Sequence, residues 1–406
     1  MTETTAPSRS SQALWILAAA ALLLGLSMGV RQTFGLFVAP MSDDLGIGRG
    51  DFSLVIAVQN LLWGAAAPFF GILADRYGTG RVVAFGGLCY GIGILIMATT
   101  EQLFYLHLGG GLLVGLGVGA AGFPLVLAAV ARAAPPEKQA LWLGLASAGG
   151  SAGMFLLLPG SQVLIDSFGW INALYALAVL SFVMIPLAFA VRGKPPSSGL
   201  SEQSLRGALH EAGGHNGYRL LNLGFFVCGF HVAFVGTHLP GYIVACNLSP
   251  EVGALALGII GFFNIIGGIA AGWLGGRFPR KYLLSAIYLA RAVVIAAFML
   301  GPKTELAVVL FSAAFGLLWL STVPLTTGLV AQIFGLRYMA TLAAIVMFSH
   351  QIGAFFGAWL GGVSYDLNQS YDLVWYISIA LGLLAAVVHL PIADKPLRGP
   401  AKPAAA

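Results

Sequence analysis

The chain has 406 residues, of which 58% are hydrophobic and only 9% are charged, and its formal net charge is +5. Soluble globular domains carry about 25% charged residues, so this composition excludes a soluble globular protein. The basic residues are spread over many short connections, which also excludes a continuous nucleic-acid-binding surface. We therefore expect an integral membrane protein that is embedded in a lipid bilayer and binds no nucleic acid.

Twelve apolar segments follow one another along the chain. Each is long enough to cross a bilayer as a helix, which takes about 20 residues. They lie at residues 13–40, 52–74, 82–100, 103–131, 139–165, 169–191, 219–245, 253–276, 282–300, 305–333, 338–365 and 372–392. The sequence therefore predicts an all-α integral membrane protein with 12 transmembrane helices.

Lys and Arg fall almost entirely on alternate connections between these segments. With both termini in the cytoplasm, the cytoplasmic side receives most of them, including Arg132 and Arg280, whereas the outer connections receive only Arg49 and Lys303. Cytoplasmic loops of membrane proteins carry such an excess of Lys and Arg. The sequence therefore predicts that both termini are cytoplasmic.

The second half of the chain repeats the first at an offset of 200 residues. The matching pairs are Gly29 with Gly229, Arg31 with His231, Phe34 with Phe234, Pro40 with Pro240, Pro124 with Pro324 and Gly153 with Gly353. Many transporters are built from two such repeats and bind their substrate near the midplane, where the repeats meet. We expect a cytoplasmic tail at 1–12, a six-helix bundle at 13–191, a cytoplasmic loop at 192–218, a second six-helix bundle at 219–392 and a cytoplasmic tail at 393–406.

The stretch GILADRYGTGR, residues 71–81, resembles the loop between the second and third helices of the major facilitator superfamily. The resemblance covers nearly the whole chain through helix number and repeat, and it implies the major facilitator fold, two pseudo-symmetric six-helix bundles. In that family this loop is a cytoplasmic clasp. The resemblance therefore assigns gating to Gly71, Asp75, Arg76, Arg81 and, from the second-half copy of the loop, Arg277. An ordinary solvated turn is the alternative for Asp75 and Arg76.

The first-helix pattern GVRQTFGLFVAPM, together with HVAFVGTHLPGY and FSHQIGAFFGAWLGG, resembles bacterial members of the monocarboxylate-transporter-like branch. This resemblance implies a monocarboxylate substrate and a location in the bacterial inner membrane. The chain differs from the eukaryotic monocarboxylate carriers, which have an Asp and an Arg where this chain has Asn264 and Gly268. The drug/proton antiporter branch matches less well, because Gly111 stands where its fourth-helix Arg would be.

Polar residues from several predicted helices come to a similar depth, counted at about 1.5 Å rise per residue. The candidate substrate-binding residues are Arg31, Asn60, His231, Asn264, Trp319 and His350, of which Arg31 lies nearest the outer third. Every Asp and Glu falls in a loop, a tail or at a span end, as Glu305 and Asp372 do, whereas a site for a cation would usually offer a membrane carboxylate. The site is therefore predicted to bind an anion, with the planar guanidinium of Arg31 as the carboxylate anchor.

Several of these residues have a second interpretation. Arg31 is alternatively a side chain that snorkels toward the outer surface. His231, His238 and His350 are candidate proton carriers because histidine titrates near neutral pH, but they are equally explained as packing residues. Arg291, on the ninth span, either lines the pathway or donates to carbonyls of a neighbouring helix.

The sequence as a whole predicts a secondary active transporter, not an enzyme, that moves a small organic anion by alternating access. Symport with protons, uniport and anion exchange stay open, and so does a neutral, sugar-like substrate bound by Gln59, Asn60 and Asn264. A transporter-like membrane sensor is a further alternative, disfavoured because no appended signalling domain is visible. A membrane enzyme is disfavoured because no nucleophile with a base partner is visible. We expect no cofactor, no metal and a monomer.

Overall fold

The structure is a computed structural model that describes residues 9–135, 138–193, 205–335 and 339–397. Within these ranges, the side chains of residues 9–12, 75, 139–140, 205 and 339–340 are outside the description. In chain order the helices are α1 (Arg9–Leu45), α2 (Arg49–Tyr77), α3 (Thr79–Thr99), α4 (Leu103–Leu106), a π-helical segment (His107–Leu113), α5 (Val114–Ala120), α6 (Phe123–Ala133), α7 (Gln139–Ala188), α8 (Leu205–Gly214), α9 (Asn216–Ala245), α10 (Pro250–Gly275), α11 (Arg280–Leu300), α12 (Glu305–Leu318), α13 (Thr322–Phe334), α14 (Met339–Asn368) and α15 (Asp372–His389).

Eleven helical stretches of the described chain are long and apolar enough to cross a membrane. The difference from the twelve predicted lies in α7, which has 50 residues and would be about 75 Å long if straight, against about 30 Å for the hydrocarbon core of a bilayer. It turns at Gly169, where φ is 79° and ψ is 163°, a conformation that glycine adopts without steric cost. Because α7 supplies two predicted spans, the prediction of 12 membrane-crossing helices is confirmed.

The fourth and tenth spans, predicted as continuous helices, are broken. The fourth is interrupted between α5 and α6, and the tenth between α12 and α13. Pro124 and Pro324 follow the two breaks within the first turn of the next helix. Proline has no N–H to donate to the carbonyl four residues earlier, and its ring clashes with that carbonyl. Since these prolines are repeat mates, the two halves are broken at corresponding places.

Glycine contacts pack the same pair of spans in each half. A Cβ on Gly153 of α7 would lie 2.0 Å from the carbonyl oxygen of Gly25 of α1, so the two backbones are in direct contact. In the second half, a Cβ on Gly353 of α14 would lie 1.9 Å from the carbonyl oxygen of Phe226 of α9. Small residues allow membrane helices to approach this closely. The spacing of 200 residues between Gly153 and Gly353 therefore reflects equivalent packing in the two bundles.

The two halves, α1 to α7 and α9 to α15, contact each other at the end of the molecule that carries connections 46–48, 246–249 and 369–371. We call this the outer end, because the distribution of Lys and Arg predicts that it faces away from the cytoplasm. Asp366 of α14 accepts hydrogen bonds from the backbone N–H groups of Arg49, at 2.9 Å, and Gly50, at 2.7 Å. The Arg49 guanidinium donates to the hydroxyl of Tyr371 at 2.9 Å and lies 3.8 Å above the ring of Tyr365. These contacts close the outer end across the interface of the halves.

Candidate functional site

Arg31 lies on α1 two residues beyond Gly29, at a depth where α1 faces both α2 and the second half. Its guanidinium donates a hydrogen bond to Oδ1 of Asn60 and a longer one, at 3.4 Å, to Oε1 of Gln32. The guanidinium also lies 4.9 Å from the centre of the Trp63 ring. Its Nε is buried and has no partner within the described chain, and no described Asp or Glu forms an ion pair with Arg31. Arg31 is therefore a cation that neutral groups hold in place.

Asn60 is fully buried on α2, and its side-chain orientation is fixed by the helix that carries it. The amide nitrogen donates to the carbonyl oxygen of Ile56 at 2.9 Å, one turn earlier. Because an amide has donors on one side and an acceptor on the other, Oδ1 is left to face Arg31. Trp63 follows Asn60 by three residues and so lies on the same face of α2. One helical face thus supplies both an acceptor and an aromatic ring to the guanidinium.

A small cavity lies against Arg31 between α1, α2 and α9, with room for about one water molecule. Polar side chains from both halves line it, as do apolar ones; the lining is formed by Arg31, Gln32, Phe34, Gly35, Ile56, Gln59, Val232, Ala233, Gly236 and Thr237. Gln59 donates from Nε2 to the carbonyl oxygen of Gly110 at 3.0 Å, while its buried Oε1 has no partner among the residues that the structure describes. The cavity therefore offers a positive charge, a free acceptor and an apolar wall.

Gly35 and Gly236 close this cavity at its outer side. A Cβ on Gly35 would lie 2.4 Å from the carbonyl oxygen of Gly236, and a Cβ on Gly236 would lie 2.2 Å from Nε2 of Gln32. Gly35 is about one helical turn beyond Arg31 toward the outer end. Backbone contact between α1 and α9 therefore separates Arg31 from the outer end.

Two of the predicted histidines do not line this cavity. His231 contacts the carbonyl oxygen of Ser378 through Nε2 at 2.8 Å, and His238 contacts that of Ala358 at 2.6 Å. A carbonyl only accepts, so each ring nitrogen donates. These bonds tie α9 to α15 and to α14 inside the second half. His231 is thus the repeat mate of Arg31 in sequence, but its side chain points into its own bundle.

His350 of α14 is also buried and lies outside the cavity lining. Its ring is 5.0 Å from that of Phe225, and neither ring nitrogen has a hydrogen-bond partner in the described part of the chain. The neighbouring Gln351 is fully buried, and neither its amide nitrogen nor its amide oxygen has a hydrogen-bond partner among the described residues. The His350–Gln351 pair is therefore a buried polar group whose hydrogen bonds the described residues do not satisfy.

Asn264, Trp319 and Arg291 meet at the break between α12 and α13 and not at the cavity. Asn264 accepts from the backbone N–H of Leu320 at 3.0 Å and donates to Oγ of Ser151 at 3.0 Å. Trp319 packs edge-on against Phe315, with ring centres 5.6 Å apart. Arg291 donates to backbone carbonyls at the end of α12. These contacts place the three residues around the break in the backbone between α12 and α13.

The predicted gating residues lie at the opposite, inner end. Arg76 and Arg81 are exposed, and the guanidinium of Arg277 stacks 3.7 Å from the ring centre of Trp273. A Cβ on Gly71 would have no neighbour within 4 Å, so no described segment packs closely against this glycine. The side chain of Asp75 is outside the described residues. The cytoplasmic clasp therefore stays a prediction.

Sequence reasoning identified Arg31, Asn60 and Gln59 but missed Trp63 and Thr237. An aromatic residue three positions after Asn60 on one helical face was a usable signal for Trp63. Thr237 gave no such signal, because residues 227–240 of α9 are all buried and their pattern does not indicate which face meets the other half.

Comparison with known proteins is consistent with this geometry. The model of the Major Facilitator Superfamily matches residues 17–358. The chain is 25% identical to the uncharacterized MFS-type transporter YcxA of Bacillus subtilis, over 90% of this chain and 91% of that protein. It is 27% identical to human monocarboxylate transporter 11, over 93% of this chain and 82% of that protein. The structure matches that of the nucleoside transporter NupG with a TM-score of 0.78 at 12% identity, over 93% of this chain and 100% of that one.

Proposed function

Because the chain belongs to the Major Facilitator Superfamily and is a multi-pass membrane transporter, we propose that its cargo is a small organic anion, a monocarboxylate, moved by alternating access. The similarity to monocarboxylate transporter 11 supports this substrate class. The abundance of Lys and Arg at the inner end and the similarity to YcxA support a bacterial cell membrane as its location, with both termini in the cytoplasm.

One observation carries the proposal: Arg31 is a cation in the wall of a cavity between the halves, and no described carboxylate neutralises it. An unpaired charge within a membrane is costly and usually marks a substrate pathway. The guanidinium is planar and its donors suit a carboxylate, which they can bind with two hydrogen bonds. A substrate carboxylate would supply the negative charge that the site lacks.

The neighbours of Arg31 prepare it for this task. Asn60 and Trp63 hold the guanidinium without cancelling its charge. The Arg31 side chain therefore loses little conformational freedom when the substrate binds. The cavity has room for about one water molecule here, so it must widen to admit a carboxylate. The apolar part of the lining, with Phe34, Ile56 and Val232, would then contact the hydrocarbon chain of a short carboxylate. We assign carboxylate binding to Arg31, and orientation of its guanidinium to Asn60.

Alternating access follows from the position of the contacts between the halves. Gly35 and Gly236 close the cavity on its outer side, and the Arg49 and Asp366 contacts close the outer end beyond them. Because these contacts block the outer side, we assign exchange of the substrate in this arrangement to the inner side, after the cavity has widened. Opening of these contacts, with closure at the inner end by the loop that contains Asp75 and Arg76, would expose Arg31 to the outside.

Proton coupling belongs to the same proposal. Of the three candidate histidines, His231 and His238 each use one ring nitrogen in a bond to a backbone carbonyl. Only His350 among these three has both ring nitrogens unpartnered in the described chain. His350 is therefore the residue to which we assign the proton.

A neutral solute is the second candidate, supported by the amide side chains around the cavity. The buried Oε1 of Gln59, which no described residue contacts with a hydrogen bond, is an acceptor that a hydroxyl group would satisfy. This candidate leaves Arg31 without a counter-charge, which makes it the weaker of the two.

Uptake into proteoliposomes distinguishes the candidates. The panel contains labelled short monocarboxylates, dicarboxylates, a pentose and a nucleoside, each with and without an inward proton gradient. We expect uptake of a monocarboxylate, its acceleration by the gradient, and no uptake of the neutral solutes. Saturable uptake of a neutral solute without uptake of any anion would overturn the proposal.

A further inference from the structure

Arg291 is a fully buried arginine that does not touch the cavity at Arg31. It projects from α11 to the end of α12, where its Nε donates to the carbonyl oxygen of Leu318 at 3.1 Å. Its Nη2 donates at 2.5 Å to the same oxygen and at 2.5 Å to the carbonyl oxygen of Trp319. The guanidinium therefore binds consecutive backbone carbonyls at the point where the tenth span is broken.

The break creates the need for these donors. The last carbonyls of a helix have no partner within it, and at the end of α12 Arg291 donates to those of Leu318 and Trp319. The next carbonyl, that of Leu320, cannot accept from Pro324, which has no N–H, and accepts from the N–H of Val323 at 3.0 Å instead. Unsatisfied carbonyls are expensive inside a membrane, and a cation at the C-terminal end of a helix also interacts favourably with the helix dipole. Arg291 supplies both the donors and the positive charge to the end of α12.

The same break holds a residue that reaches the other half. The backbone N–H of Leu320, the residue after Trp319, donates to Oδ1 of Asn264 at 3.0 Å. This bond turns the amide nitrogen of Asn264 toward Ser151 of α7, to which it donates at 3.0 Å. Asn264 and Ser151 are both buried. A continuous series of contacts thus runs from Arg291, through the broken backbone and Asn264, to the N-terminal half.

We propose that Arg291 is a positioning residue for the alternating movement of the halves: it fixes the break between α12 and α13, and thereby directs Asn264 to Ser151. Loss of the Arg291 side chain weakens the outer-closed arrangement without altering the substrate site. This role goes beyond the proposed anion transport, because it depends on no property of the cargo.

A distance measurement between spin labels tests this role. Labels at Asp43→Cys and Asn368→Cys, both exposed at the outer end, report opening of the halves by double electron–electron resonance. The background carries Cys89→Ala, Cys228→Ser and Cys246→Ala, and the protein is purified without substrate. Because no substrate is present, a negative result for Arg291 is independent of whether the proposed anion is the cargo.

Arg291→Lys keeps the charge but loses the fork that binds two carbonyls, and Ser151→Ala removes the acceptor of Asn264. We expect each change to raise the ratio of outer-open to outer-closed protein by about two- to twelvefold, the range for one hydrogen bond. The double variant should not exceed the larger single effect, because both changes interrupt one series of contacts. Effects that multiply in the double variant, or an unchanged ratio in Arg291→Lys, would overturn the proposal.

Arg219→Lys is the matched control, since Arg219 is exposed and donates to the carbonyl oxygen of Gly213 near the end of α8. It should leave the ratio unchanged, and a shift as large as that of Arg291→Lys would count against the proposal. Pro324→Ala acts on the break from its other side: its N–H can compete with that of Val323 for the carbonyl of Leu320 and so change the turn between α12 and α13. It keeps the proposal testable should Arg291→Lys fail to fold. It should open the outer end in the same direction, and no shift would contradict the proposal.

Discussion

Asn60 accepts a hydrogen bond from the guanidinium of Arg31 while its own amide nitrogen donates to the carbonyl oxygen of Ile56. The neutral amide therefore orients the arginine and leaves its charge available. A negative charge introduced at residue 60 should therefore lower the affinity of the site for an anion.

Asn60→Asp should abolish high-affinity anion binding. A carboxylate at this position pairs with Arg31 and repels a second carboxylate, so the apparent KM for the anion should rise by about tenfold or more. Uptake kinetics in proteoliposomes measure this change in KM. Asn172→Asp is the matched control, because Asn172 makes the same bond to a carbonyl one turn earlier but is exposed. An unchanged KM in Asn60→Asp would contradict the assigned role.

Trp63→Leu should weaken anion binding by a smaller factor than loss of Arg31. The ring lies 4.9 Å from the guanidinium, and a cation–π contact contributes about 0.5–2 kcal/mol. Trp63→Phe should retain part of the affinity. Trp273→Leu provides the comparison, since the guanidinium of Arg277 lies 3.7 Å from the ring centre of Trp273 at the inner surface. If Trp63→Leu and Trp273→Leu had equal effects on KM, the ring of Trp63 would have no special part in the site.

Asp366→Asn should open the outer end. The carboxylate of Asp366 accepts from Arg49 N–H and Gly50 N–H at the start of α2, where a negative charge also interacts favourably with the helix dipole. In a background without the native cysteines, Thr237→Cys in the cavity lining should react faster with a hydrophilic maleimide added from outside. Asp372→Asn, an acid of the first turn of α15 at the same end, should leave the rate unchanged. Equal labelling rates in both variants would argue against a role of Asp366 in closing the outer end.

His350→Gln should remove the stimulation of uptake by an inward proton gradient and leave exchange between internal and external anion intact. Exchange needs no net proton movement, so the two assays separate coupling from binding. His210→Gln, on the exposed face of α8, serves as the control and should respond to the gradient as the unmodified protein does. Persistent stimulation in His350→Gln would exclude His350 as the proton carrier.

Much of the fold was predictable because membrane-crossing length is a strong constraint. The apolar spans and the repeat gave the twelve crossings, including the two within α7 that Gly169 separates. The breaks before Pro124 and Pro324 were not predicted, although the prolines were recognised as repeat mates. The reason is physical: a proline within the first turn of a helix is tolerated, so the residue alone does not tell whether the span bends or ends.

The site was predictable only in part. Arg31 and Asn60 were identified from charge and depth, and the structure joins them. His231 was a candidate for the substrate site because of its depth and because it is the repeat mate of Arg31, with packing as the alternative; its ring contacts Ser378 inside the second half. A repeat fixes the position of a residue along its helix, whereas the direction of its side chain depends on which neighbours surround the helix. In the central part of α9, residues 227–240 are all buried, and the sequence pattern does not distinguish those directions.

The central claim, that Arg31 binds the carboxylate of the cargo, is tested most directly by the affinity of purified Arg31→Gln and Arg31→Lys for the best transported anion of the uptake panel. Lys138→Gln, which removes one exposed positive charge at the inner end, is measured beside them. Loss of a charge-assisted hydrogen bond costs about 1.5–3 kcal/mol, so Arg31→Gln should bind about ten- to a hundredfold more weakly. Arg31→Lys should lie between it and the unmodified protein, and Lys138→Gln should bind normally. Near-normal affinity in Arg31→Gln would contradict the claim.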